Sequence, residues 1–253
     1  MEILYLIIFF ILGTVLGTIY TVIGLKLPNN EKIVVKRKCK KCNHELSIKD
    51  LIPLLSYTLS KGRCRHCKGK IDILFPYMEF FTGLLFSVAY YSFGFSYQLL
   101  IALGMISLLM TIVVSDLTYL IIPDEILIVA SIYFLIIQFL DLGLKGAISH
   151  LLSGIFLFTI MYTVMLIGNK TLKKESMGGG DIKMMFVFGL VLEPLLGTLT
   201  IFFGSLFALP MSLYLMKRNN EKVIPFGPFL LIAFVFIYFT KMTPDSLMKF
   251  LGF

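Results

Sequence analysis

Charge is what this sequence lacks most. Only 15% of its 253 residues are Asp, Glu, Lys or Arg, while 58% are apolar and the mean hydropathy is +0.90. Soluble domains are roughly 45–50% apolar, so the composition excludes an ordinary soluble fold and points to an all-α polytopic membrane protein in a lipid bilayer. Acids are the scarcer sign, 15 against 23 bases, for a net charge of +8. The excess invites a nucleic-acid reading, but 13 of the 23 Lys and Arg residues fall between Lys26 and Lys70, beside apolar spans. That stretch holds a single aromatic residue, Tyr57, and so lacks the stacking surface of a single-strand binder. It reads instead as a cytoplasmic loop under the positive-inside rule, and no nucleic-acid partner is expected. Internal repeats, low-complexity tracts and flexible linkers are missing too. The lack of repeated halves weighs against the alternative of a membrane transporter with a regulatory zinc ribbon.

No basic segment precedes the first apolar run, residues 3–25, which lies between Glu2 and Lys26. A cleavable signal peptide needs a basic start and a small-residue cleavage site, so a retained first helix with its N-terminus outside is expected. Three regions follow from this: a first transmembrane helix at 1–25, a cytoplasmic loop at 26–75, and a membrane core at 76–253. Within the core, spans are expected at 76–93, 97–115, 124–140 and 146–168. The 36 residues from Asp181 to Met216 are long for one span and short for two. Two spans, turning at Glu193-Pro194, return Lys217, Arg218 and Lys222 to the side of Lys170, Lys173 and Lys174. With 224–240 the count reaches about eight transmembrane helices. His150 falls near the outer end of the fifth span, where a lipid-headgroup contact is the expected role.

All four cysteines lie in the basic loop, as Cys39-x2-Cys42 and, 21 residues later, Cys64-x2-Cys67. Each pair closes a tight knuckle that aims two sulfurs at one point, and two knuckles complete a tetrahedral set for structural zinc. The neighbouring lysines and arginines favour the thiolate form that a metal needs. His44 and His66 are surplus to a four-sulfur site and read as surface residues. The loop has few large apolar residues, so a small zinc ribbon would supply its stability.

A second chemistry sits at Met177-Gly178-Gly179-Gly180-Asp181-Ile182-Lys183. Three consecutive glycines suggest irregular backbone rather than helix, and an ionisable residue there is a candidate functional group. Helix N-capping is the alternative role for Asp181. Span counting puts Asp116, 65 residues earlier, at the same cytoplasmic depth. Two carboxyls in a low-dielectric site share a proton, which suits one to activate water and the other to protonate a scissile amide. Asp124 competes with Asp116 for this role, but its place after Pro123 at a helix start is explained by capping and the macrodipole. Glu79, near the start of the second span, is a candidate for holding a substrate amine or a basic leader residue. A hydrogen-bonded helix-end role competes equally for it.

The chain resembles the bacterial type IV prepilin peptidases of the membrane GxGD aspartyl protease group. The resemblance runs almost end to end, through the first-helix ending Gly17–Pro28, the cysteine tetrad and Leu51–Tyr57. It continues through Phe75–Glu79, Ile122-Pro123-Asp124, Met177–Lys183 and Ile224–Phe229. It implies a catalytic pair at Asp116 and Asp181, with Gly178 and Gly180 as the fixed glycines of the active-site loop. It implies cleavage of the basic leader of prepilin or pseudopilin substrates at the cytoplasmic membrane face. In many members N-methylation of the new terminus by S-adenosylmethionine follows. Thr21 and Lys26 stand where the family carries Asn and Arg.

Overall fold

The computed structural model describes residues 2–33, 42, 54–64, 66–173, 177–217 and 225–243. These residues form helices almost throughout: α1 (Glu2–Lys26), α2 (Leu55–Leu59), α3 (Leu74–Phe93), α4 (Tyr97–Tyr119), α5 (Asp124–Leu172), α6 (Gly179–Gly189), α7 (Pro194–Lys217) and α8 (Gly227–Phe239). Among them the extended pairing is one antiparallel bridge, Arg63 to Lys70. Four helices, α1, α4, α5 and α7, are long and apolar enough to cross a membrane. The chain divides into two compact units, Met1–Leu99 and Leu100–Phe253.

In the first unit α1 and α3 meet backbone to backbone. A Cβ on Gly13 would lie 2.7 Å from the Thr82 carbonyl oxygen, and one on Gly83 would lie 2.9 Å from that of Phe10. Small residues allow such contact where lipid tails leave little hydrophobic reason for helices to associate. Threonines line the seam, and Thr14, Thr21 and Thr82 return their hydroxyls to carbonyls of their own helices. Thr18 does not; it donates to Glu79 across the seam.

In the second unit α6 is the centre. Its 11 residues span about 16 Å, half the roughly 30 Å of a hydrocarbon core. Ile182, Met184, Met185, Val187 and Phe188 are all buried, and Phe188 stacks on Phe234 of α8 with ring centroids 4.1 Å apart. A helix that stops midway leaves carbonyls with no water to bond. Side chains of α5 bond carbonyls just past the end of α6: Gln138 donates to Leu190 and Ser153 to Leu192. His150, half-buried on the same helix α5, has a buried Nδ1 without a hydrogen-bond partner among the described residues.

At about 74 Å, the 49 residues of α5 are too long for one crossing. The helix breaks at Gly143, whose φ of 70° and ψ of −170° leave the helical region. Gln138 before the break and Ser153 after it reach neighbouring carbonyls of the same chain end, so the two arms fold back side by side.

Candidate active site

Asp116 lies in the last turn of α4, a helix that runs four residues beyond the span end expected from sequence. The turn after it is closely held. Leu120 takes the left-handed conformation at φ 57° and donates its amide to the Asp116 carbonyl, and the Ser115 hydroxyl bonds the Ile121 carbonyl. Pro123 is extended, has no amide proton to lose, and starts α5 at Asp124. This turn holds Ile122 against the start of α6.

The glycine stretch is more regular than expected. Gly178 is an extended N-cap, and Gly179 and Gly180 already belong to α6, so Asp181 stands in its first turn rather than in irregular backbone or at the cap. Helix here costs little in lost bonding, because first-turn amides have no intrahelical partner in any case. A Cβ on Gly178 would meet only Asp181 Oδ2, at 3.6 Å, and one on Gly179 would meet nothing within 4 Å. On Gly180 it would lie 2.8 Å from Ile122 Cβ.

Asp116 is 5% exposed and Asp181 8%, and the two carboxyls interact electrostatically. Ile122 links them: its side chain lies against Gly180, the residue before Asp181, and against Gly227, the first residue of α8, which in turn lies against the Asp116 carboxyl. Asp116 Oδ2 is buried with no hydrogen-bond partner among the described residues. Sequence reasoning gave no role to Ile122 or Gly227. The signal available for Gly227 was a glycine-proline pair opening an apolar helix.

The other candidates have contacts of their own. Asp124 binds Lys183 through both carboxylate oxygens, at 2.8 and 2.7 Å, and its side chain is 56% exposed. In the first unit, Glu79 is 1% exposed and its two oxygens accept the Thr18 hydroxyl at 2.7 Å and the Leu54 amide at 2.9 Å. Also in the first unit, the Sγ atoms of Cys42, Cys64 and Cys67 all lie within 4.8 Å of one another. Four thiolates at about 2.3 Å from a tetrahedral zinc sit about 3.8 Å apart, so the three sulfurs fit that ion. The knuckle is formed: the Cys64 amide donates to Gly69, and its carbonyl accepts from Lys68. Cys39 and His44 lie outside the described residues.

Residues 11–93 match the Bacterial Peptidase A24 N-terminal domain, and residues 103–213 match the Type IV leader peptidase family. The prepilin leader peptidase/N-methyltransferase of Bacillus subtilis (strain 168) is 31% identical over 96% of both chains. The chain belongs to the type IV leader peptidase family. Proteins of the same printed name in Vibrio cholerae and Myxococcus xanthus are 28% and 31% identical. The first match covers 95% of this chain and 98% of the relative, and the second 78% and 59%. No solved structure matches the chain. Family membership gives no support to the transporter alternative.

Proposed function

We propose that this chain is a membrane aspartic endopeptidase that removes the basic leader of type IV prepilin or pseudopilin-like proteins, with Asp116 and Asp181 as its catalytic pair. The observation that carries the reading is the burial of these two carboxyls, one in the last turn of α4 and one in the first turn of α6, with Ile122 between the two turns. Two buried acids working as a pair hold one proton between them. The ionised member takes a proton from water, whose oxygen adds to the scissile carbonyl carbon, and the protonated member delivers its proton to the amide nitrogen as the C–N bond breaks and the new amine leaves. The bare backbone at Gly178 and Gly179 leaves room for an extended substrate strand to approach Asp181.

In this reading the chain crosses the bacterial cytoplasmic membrane about eight times, with its N-terminus outside and the dyad at the cytoplasmic face. Thirteen Lys and Arg residues between Lys26 and Lys70 favour that orientation. Zinc, held by Cys39, Cys42, Cys64 and Cys67, supports the loop and takes no part in hydrolysis. The relatives' printed name couples leader cleavage to N-methylation, and the same second activity, with S-adenosylmethionine as donor, is proposed here. The described residues contain no strand followed by a glycine-rich turn, the unit that commonly binds adenosine cofactors, so no residue is assigned to the methyl transfer. Glu79, with both oxygens engaged, is proposed as a structural residue ahead of a substrate contact.

The test is co-expression with candidate pilin-like proteins, following loss of the leader by mass spectrometry. Asp116→Asn and Asp181→Asn should each abolish cleavage while the protein still inserts. Asp124→Asn should cost far less, since exposed ion pairs are worth only about 0.2–1 kcal/mol. Full cleavage by either dyad variant, or inactivity of Asp124→Asn alone, overturns the assignment.

A further inference from the structure

The start of α8 touches more than Asp116. A Cβ on Gly227 would lie 3.0 Å from Asp116 Oδ2, 3.1 Å from Ile122 Cδ1 and 3.3 Å from Met184 Cε. The first of these is the orphaned buried oxygen, pressed against the one residue type that presents no side chain to it. The second is the side chain that also lies beneath Gly180, one residue before Asp181. Ile122 is therefore wedged between two glycines, one in the first turn of α6 and one at the start of α8.

Helix N-termini favour negative charge, because their first amides point outward without partners. Gly227 stands at such a terminus, against Asp116. Pro228 follows it, and proline fits the first helical turn because it has no amide proton to leave unbonded. The Gly227-Pro228 pair thus starts a helix and leaves a concave backbone surface where Asp116 needs one.

Building on the proposed peptidase reading, we infer that Gly227 is a positioning residue of the dyad, holding the Asp116 carboxyl in register with Asp181 through its bare Cα at the start of α8. It touches neither water nor scissile bond; it sets where one of the two acids stands. Carboxyl placement affects the chemical step, whereas substrate docking involves other surfaces, so the two kinetic constants should separate.

The experiment compares wild type, Gly227→Ala, Ile122→Val and the double variant on a pilin-like substrate in detergent, with thermal melting alongside. Gly227→Ala should lower kcat by on the order of 10- to 100-fold, with KM within about twofold of wild type. Ile122→Val removes Cδ1, the nearer aliphatic contact, and leaves Met184 Cε, the end of a flexible side chain, and the contact with Asp116. The double variant should therefore recover part of the lost melting temperature and not kcat. Recovery of kcat in the double variant, a full rate in Gly227→Ala, or a loss of kcat that only tracks melting overturns the inference. Asp116→Asn, measured beside them, keeps the two readings apart. If it remains active, the dyad assignment is at fault; if it is dead while Gly227→Ala is fully active, only the positioning role falls.

Discussion

At the scale of single residues, space and hydrogen bonding divide groups that the sequence treated alike. Gly178 and Gly180 both read as fixed and Gly179 as variable, yet only at Gly180 would a Cβ collide, 2.8 Å from Ile122 Cβ. Gly180→Ala should therefore cut cleavage severely and cost about 1–3 kcal/mol, since Cβ meets Cβ and no flexible end can move aside. Gly179→Ala faces open space in a helix and should be neutral or stabilising by up to about 1 kcal/mol. Gly178→Ala should fall between them. Initial cleavage rates and melting temperatures of the three variants check this order; equal rates would remove Ile122 from the account. The two aspartates could be nominated from sequence because acids within apolar spans are rare enough to be counted. The role of Glu79 could not be read, because its partners, Thr18 and the Leu54 amide, come from sequence 61 and 25 residues away. No local pattern separates a satisfied buried carboxylate from one waiting for a ligand.

Among the elements, the helices were readable from hydropathy and their ends from glycine and proline. The lengths were not. The 36 residues from Asp181 to Met216 read as two spans although short for two, and how they divide was not readable: α6 has 11 residues and α7 has 24. What makes the short helix tolerable is the supply of donors from α5, which only the fold brings to its end. Likewise the seam of α1 and α3 depends on Gly13 meeting Gly83, a pairing that neither helix announces alone. The cysteine loop is the reverse case: its spacing was explicit, and three of its sulfurs do gather. The purified protein should carry one zinc per chain. Replacing Cys42 and Cys64 by serine should release it and expose the loop to protease, with leader cleavage partly retained because the dyad uses no metal. Metal analysis showing no zinc, together with a native disulfide, would exclude this.

For the whole molecule, the break at Gly143 has a consequence best put as parity. In the proposed topology the chain between Asp116 and Asp181 goes out along one arm of α5 and comes back along the other, so the number of traverses is even and both acids end on one face. A Cβ at Gly143 would meet nothing within 4 Å, so chain can be added there without disturbing the packing around it. Inserting one apolar helix of about 20 residues makes the number odd. Asp181, α6 and everything after them would then be delivered to the opposite face, although every residue of the dyad and its surroundings is unchanged. A second inserted helix restores the even number. Leader cleavage should vanish with one insert and return at least in part with two, while labelling of a cysteine placed after α7 switches sides and switches back. Cleavage surviving the single insert would mean that α5 does not carry the chain out and back.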